Sequence, residues 1–369
     1  MAAAPPALDD PEVLVPRPLD QLGPSTAPIP FPSPRLHRGR RDRVLCYDPA
    51  TRNHDILDNV LLRSGRDIQQ AYWKLPFKEP VETIMGHVEF CRVLRRTQKE
   101  EDDEDDDDDS TMASNDDDDD DDDLVFEFTD QRVAVKVNYT DRMDQLRGRH
   151  AENPLQEIAA MQLLGDAPIH VLGALDVLFD GQNLNIVMRY CDSGDLFQLL
   201  QESQNRPMAI PGTPGLTEQE ARFWFKQLMD GVQFLHSKGI CHRDLSPENV
   251  MIDGQEGLII DMGMCLRVPY QGTNGVSTSV EEAQGPRCMF RALSPSGKLP
   301  YMSPEIYASR GPFDGHAVDV WTCGTILFCM LTGTSGKMRS LHILRGSSCF
   351  FQAIDPTSAP IARIHNSIG

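Results

Sequence analysis

The chain has 369 residues, enough for two domains or for one two-lobed domain. Its formal charge is −21, but 18 acidic residues and no Lys or Arg fall between positions 100 and 123, and without them the charge is −3. A balance this acidic excludes general nucleic-acid binding, which needs positive surface to displace counterions. The longest strongly apolar run, 318–331, is too short to span a membrane. The N-terminus lacks a secretory pattern, and nine cysteines without a CxxC pair disfavour structural zinc and a disulfide scaffold. A reduced compartment, cytoplasmic or nuclear, is expected.

Residues 1–41 hold ten of the 27 prolines and predict a disordered leader, with a basic end at Arg35, Arg38, Arg40, Arg41 and Arg43. Residues 42–80 form a segment before the domain with no legible task. Residues 81–85 and 91–96 read as short strands joined by 86–90, and 131–137 read as a third strand with alternating apolar positions. The acidic tract, a solvated spacer or a surface for basic proteins, lies between the second and third. Asn153 starts a helix, with Pro154 in its first turn, Gln156 completing a capping box and Gly165 ending it. Strands are expected over 170–180 and 184–190, which makes five with one helix among them.

The remainder is expected to be mostly helical. Thr217 and Glu220 make a capping box ahead of Ala221, Phe225, Leu228, Val232 and Leu235, which share one helical face. Two strand-like runs, 248–253 and 257–261, precede a long polar loop. The run 318–331 reads as a helix apolar nearly all round, hence buried.

Three stretches carry chemistry: Val133-Ala134-Val135-Lys136 in a strand, His242-Arg243-Asp244-Leu245-Ser246-Pro247-Glu248-Asn249 after a helix, and Ile260-Asp261-Met262-Gly263 after a strand. With Ser303-Pro304-Glu305 and Asp319-Val320-Trp321 following in order, they resemble the protein-kinase signature set, of the Ser/Thr type, over about 81–333. The resemblance implies an α+β, two-lobed fold: a small lobe over 81–191 with the acidic insertion 100–123, a partial large lobe over 192–333, and a non-kinase tail over 334–369. It implies ATP, Mg²⁺ and a protein substrate, while charge and the short apolar run lead to the expectation of no membrane and no direct nucleic-acid partner.

Phosphoryl transfer spreads charge over equatorial oxygens, so its catalysis is positioning and charge neutralisation. By resemblance, Lys136 meets the α and β phosphates and is held by Glu157, Asp244 accepts the hydroxyl proton, Arg243 is available to a phosphorylated loop residue, and Asn249 and Asp261 hold Mg²⁺. Asp195 meets the ribose or a basic substrate residue, or merely caps a helix. Val93 and Ala134 lie above the adenine and Met251 below it, with Met188 as gatekeeper and Tyr190 and Cys191 on the linking strand. His242, Met262, Met161 and Leu175 form a stack across the lobes.

The pattern also departs from the family. The phosphate-covering loop, starting at Gly86, keeps one glycine of three. Ser246 stands where the family usually has Lys, and Lys298 where it usually has Thr, which suggests that the pair has been exchanged. After Gly333 the pattern stops, so the chain reads as truncated, and Arg339, Arg345 and Arg363 lack the context of a partner for Glu305. Loop hydroxyls at Thr273, Ser277, Thr278, Ser279, Ser294 and Ser296 are candidates for phosphate. Three readings stay open: an ATP-dependent protein kinase, a non-catalytic kinase-like scaffold, and an acidic-tract module for basic partners.

Overall fold

The computed structural model describes residues 22–65, 68–97, 125–165, 168–204, 215–309 and 311–333. The acidic tract, the tail after Gly333 with its three arginines, and residues 1–21 lie outside these.

The first described element is a short strand, β1 (Gly23–Thr26). It is followed by a long hairpin, β2 (His37–Asp48) and β3 (Asn53–Arg63), and then β4 (Gln70–Lys74), β5 (Val81–Glu82), β6 (Gly86–Arg96) and β7 (Val125–Tyr139). Helices α1 (Thr140–Leu146) and α2 (Pro154–Leu164) precede β8 (Ala174–Phe179) and β9 (Asn183–Arg189). Strands β2–β9 form one eight-stranded sheet. Five strands and a leader were expected here. Instead, residues 37–74, expected as the end of the leader and a segment with no legible task, supply three strands.

Their pairing explains why they belong. β4 pairs with both β3 and β6, while β2 pairs in parallel with β7 through Leu45↔Val125 and Tyr47↔Glu127. The pairings β2–β3–β4–β6–β7 therefore close into a ring. Inside it Val44, Cys46, Leu57, Val60, Leu62, Ile68, Ala71, Leu94 and Phe126 form a separate buried cluster. Closure removes exposed strand edges that would otherwise pair with other chains. The antiparallel pair β6–β7 also brackets the acidic tract, with Arg96 opposite Phe126 and Thr97 N–H donating to the Val125 carbonyl at 2.9 Å.

The described part of the expected leader, residues 22–41, is corrected as well. β1 pairs in parallel with a strand at Cys288–Phe290, Ile29 bridges to Arg267, and Phe31 packs on the main core. Farther along, the backbone N–H and carbonyl of Arg35 both bond the side-chain amide of Gln162 on α2, at 2.9 and 2.8 Å. Residues 22–36 thus run as a strap from the loop after Asp261, past α2, into β2. Proline suits such a segment, because it fixes φ without needing a donor.

The second part is helical, with α3 (Leu196–Gln204) and α4 (Glu218–Ser237), then a two-residue strand β10 (Ile240–Cys241) and the hairpin β11 (Val250–Asp253) and β12 (Glu256–Ile259). α5 (Pro304–Ala308) and α6 (Gly315–Thr332) follow. The Thr217–Glu220 box is formed in both directions, and Ala221, Leu228, Val232 and Leu235 are buried on one face of α4. Asn153 caps α2 through Gln156 N–H, but Gln156 does not complete a box: its side-chain amide donates to the Cys265 carbonyl, tying α2 to the segment after Asp261. The main core joins α2, β8, β9, α4 and α6 around Met161, Leu172, Ile186, Leu228 and Ile326.

Candidate active site

The site lies where β7, α2 and the turns after β10 and β12 converge. Lys136 Nζ sits 2.8 Å from each carboxylate oxygen of Glu157 on α2 and 3.9 Å from Asp261 Oδ1. Burial works against the Lys136 charge, but Glu157 and Asp261 outweigh it and hold the ammonium protonated well above the usual lysine range.

The loop carrying Asp244 is fixed from below by Asp319 in the first half of α6. Asp319 is 1% exposed; its Oδ2 accepts from His242 N–H and from His236 Nε2, and its Oδ1 accepts from Arg243 N–H, each at 2.9 Å. This buried carboxylate, whose part the sequence reading did not state, sets the backbone of the loop. Arg243 and Asp261 both take left-handed conformations, φ 69° and 65°, which cost energy outside glycine and persist where the surroundings over-determine them.

Asp244 is buried, and burial raises its carboxyl above the usual range despite His242 and Lys298 nearby. Asn249 donates its side-chain amide to the Asp244 carbonyl at 2.7 Å and to Oδ2 at 3.3 Å. Asn249 is joined in turn to the strand before Asp261, whose Ile260 N–H donates to its carbonyl at 3.0 Å. Lys298 donates its backbone N–H to Asp244 Oδ1 at 3.0 Å and its Nζ to Ser246 Oγ at 2.7 Å. Arg243 turns its guanidinium toward the Met264 carbonyl.

The slot expected for adenine is partly redrawn. β6–β7 register sets Val88 opposite Lys136 and Phe90 opposite Ala134, so Val88 and Phe90 share the face of Lys136. Val93 does not: it is buried with Leu61, Tyr72, Cys91 and Val133 in a cluster within the small lobe. Gly86 is a strand residue, and a Cβ there would fall 1.9 Å from the Val137 carbonyl oxygen. The glycine serves close approach of β6 to β7, and the turn Thr83-Ile84-Met85 occupies the hairpin tip.

Met188 lies opposite Ala134 on β9 and is buried, while Tyr190, Cys191 and Met251 are half-buried nearby in the chain's link and β11. Tyr190 meets Phe90 edge-on at 5.6 Å, and Lys78 lies 4.2 Å over the Phe90 ring while donating to the Tyr190 hydroxyl. Asp195 accepts from Gln198 N–H at 2.8 Å and so caps α3. Of the expected stack, His242, Met161 and Met262 are buried, but Leu175 is 58% exposed; Leu172 joins the core cluster with the two methionines.

Ser303-Pro304-Glu305 opens α5, with Glu305 exposed. The loop before it is anchored elsewhere. Arg287 donates from Nε and NH2 to both carboxylate oxygens of Asp314, the cap of α6, with both side chains 5% exposed. Sequence offered no signal for this pair beyond opposite charge.

The sequence that carries these residues has counterparts among known proteins. The family described as protein kinase domain matches residues 124–344. The chain belongs to the protein kinase family. It is 32% identical over 206 residues to CBL-interacting serine/threonine-protein kinase 16 of Arabidopsis thaliana, covering 56% of this chain and 39% of that protein. CBL-interacting protein kinase 9 of Oryza sativa subsp. japonica matches to the same extent. Serine/threonine-protein kinase chk1 of Schizosaccharomyces pombe is 36% identical over 151 residues, 41% of this chain and 25% of that protein. The chain thus spans well under half the length of these relatives. Among the described residues no helix of this kinase is long and apolar enough to cross a membrane.

Proposed function

We propose that this kinase transfers the γ-phosphoryl group of ATP to serine or threonine hydroxyls of proteins. The observation that carries the reading is the ion pair of Lys136 with Glu157, set beside Asp261 and facing the Asp244–Asn249 pair. A buried lysine held charged by a partner on another element is a poised anion ligand, and the Ser/Thr-kinase relatives favour phosphate as that anion.

Lys136 binds and orients the α and β phosphates, and Glu157 keeps its ammonium in place. Val88, Phe90, Ala134, Met188 and Met251 enclose the purine, and the backbone at Tyr190 and Cys191 offers it hydrogen bonds. Asp244 takes the proton of the acceptor hydroxyl as its oxygen attacks phosphorus. Its raised affinity for a proton makes it a stronger general base than an exposed carboxylate.

Asn249 and Asp261 fit Mg²⁺. Asn249 spends its NH₂ on Asp244, leaving a carbonyl oxygen, and the Asp261 carboxylate is part-exposed; both are hard oxygen donors. When bound, the cation would neutralise phosphate charge.

The glycine-free tip Thr83-Ile84-Met85 favours a second reading, a scaffold that binds no nucleotide. Thermal shift with Mg-ATP followed by ADP release separates the two: stabilisation and turnover abolished by Lys136→Met support the kinase, and neither in the unaltered chain supports the scaffold. Capture of basic proteins by residues 100–123 is a separate proposal, overturned if their deletion leaves basic-peptide binding unchanged.

A further inference from the structure

The surroundings of Asp244 are rich in negative charge. Asp261 and Glu152 act on one another and on Asp244, Glu248 lies on the same loop, and the Lys136 ammonium is committed to Glu157. A phosphate arriving there brings more negative charge, and its transfer spreads that charge onto oxygens that face the acceptor. Two residues after Asp244 that loop carries Ser246, a buried residue without charge.

Lys298 reaches that position from a segment 52 residues farther along the chain. Its placement is fixed twice. The backbone N–H is bonded to Asp244 Oδ1, and Gly297 just before it has φ 93°, with space for no side chain because a Cβ would lie 2.7 Å from the Arg243 carbonyl oxygen. The segment can therefore lie directly on the catalytic loop. An ammonium has three donors. One is taken by Ser246 Oγ at 2.7 Å, Glu248 Oε2 stands more loosely at 3.5 Å, and the Lys298 side chain is 38% exposed. A donor direction remains for a phosphate oxygen.

We propose that Lys298 is a catalytic residue of this kinase, supplying the cation for the transferring phosphoryl group, with Ser246 as the positioning residue that orients it. The proposal rests on the kinase reading above. In the step, the acceptor hydroxyl oxygen bonds to the γ-phosphorus and the bond from that phosphorus to the β–γ bridging oxygen breaks. The bridging oxygen leaves on ADP with the electron pair, and the hydroxyl proton passes to Asp244. Lys298 balances charge on the equatorial oxygens without changing its bonds. Because the cation rides on the segment before Leu299–Tyr301, lifting that segment removes both the cation and a bond to the base. Seating of the segment and assembly of the site are one event.

The test uses the full chain with Mg-ATP, Mg-ADP and a Ser/Thr peptide. Lys298→Met is expected to lower turnover by about 100–1,000-fold, the range for removing one preorganised charge stabiliser. It is also expected to lose about tenfold of the preference for Mg-ATP over Mg-ADP, roughly what one tenfold step in affinity represents. That ratio is read on one protein sample, so partial unfolding cancels. The exchanged pair, Ser246→Lys with Lys298→Ser, should recover most of both. An unchanged ATP-to-ADP preference in Lys298→Met, or a double variant no better than Lys298→Met, overturns the proposal. Failure of the unaltered chain to bind either nucleotide sinks the kinase reading itself, and is a different result.

Discussion

Arg287 and Asp314 form a bidentate ion pair with both side chains 5% exposed, joining the loop after Asp261 to the cap of α6. The same carboxylate accepts from His316 N–H at 3.1 Å, so one side chain serves the helix and the loop together. Breaking a buried pair strands the remaining charge, at about 3–5 kcal/mol. Arg287→Met and Asp314→Asn should each lower stability by about that much, read from denaturant midpoints. A loss under about 1 kcal/mol, the worth of an exposed pair, would show that the buried geometry is wrong.

Gly86 separates two accounts of the small lobe. If it contacts phosphate, Gly86→Ala weakens nucleotide binding and leaves stability alone. The 1.9 Å approach of its Cβ position to the Val137 carbonyl oxygen gives the opposite expectation. Backbone cannot yield as a side-chain end can, and overpacking costs about 1–3 kcal/mol. A lowered melting temperature, with the affinity of the remaining folded protein for Mg-ATP unchanged, is the expected result.

Short motifs in the sequence point to Lys136, Glu157, Asp244, Asn249 and Asp261 because phosphoryl chemistry constrains residue types at fixed local spacings. The meeting of Lys298 with Ser246 was legible for a related reason: two departures from one pattern at positions that the resemblance places together. The ring closed by residues 37–74 was not legible. Its defining pairs, such as Leu45 with Val125, join strands far apart in sequence, and β2 carries four arginines that mask its alternation. Val93 lies on the face of Cys91, opposite to that of Val88 and Phe90, because a strand's faces follow from register, which a local motif does not carry. The part of Asp319 was hidden in its backbone partners, which leave no trace in composition.

The strap of residues 22–36 links the loop after Asp261 to α2, which carries Glu157. Gly23 lies so close that a Cβ would meet Cys288 Sγ at 2.7 Å and the Gln271 side chain at 2.9 Å. Gly23→Val should therefore loosen β1, whose Thr26 carbonyl accepts from Arg291 N–H at 2.8 Å. Hydrogen exchange at the Arg291 amide should accelerate at least about tenfold, a loss of roughly 1.4 kcal/mol of local protection. Gln162→Ala should do the same at the Arg35 amide, which donates to that side chain. Exchange unchanged at both positions would mean that the strap does not hold the loop or α2.

Asp244 links activity to stability with opposite signs. Burial raises its carboxyl above the unfolded value, so the folded protein binds its proton more tightly than the unfolded chain. Its contribution to stability is fully present below the ordinary carboxylate range and is lost as pH rises through the raised folded value. At neutral pH the charged form is a cost to the fold, although Lys298 N–H and the Asn249 amide offset part of it. Catalysis needs that same charged form as base, so turnover should fall on acidification at a pH above the ordinary carboxylate range. Asp244→Asn should abolish turnover yet melt higher than the unaltered chain at pH 7, with the gain shrinking as the pH is lowered. A variant less stable at pH 7, or an acid limb no higher than an ordinary carboxylate gives, would show that burial does not govern this group.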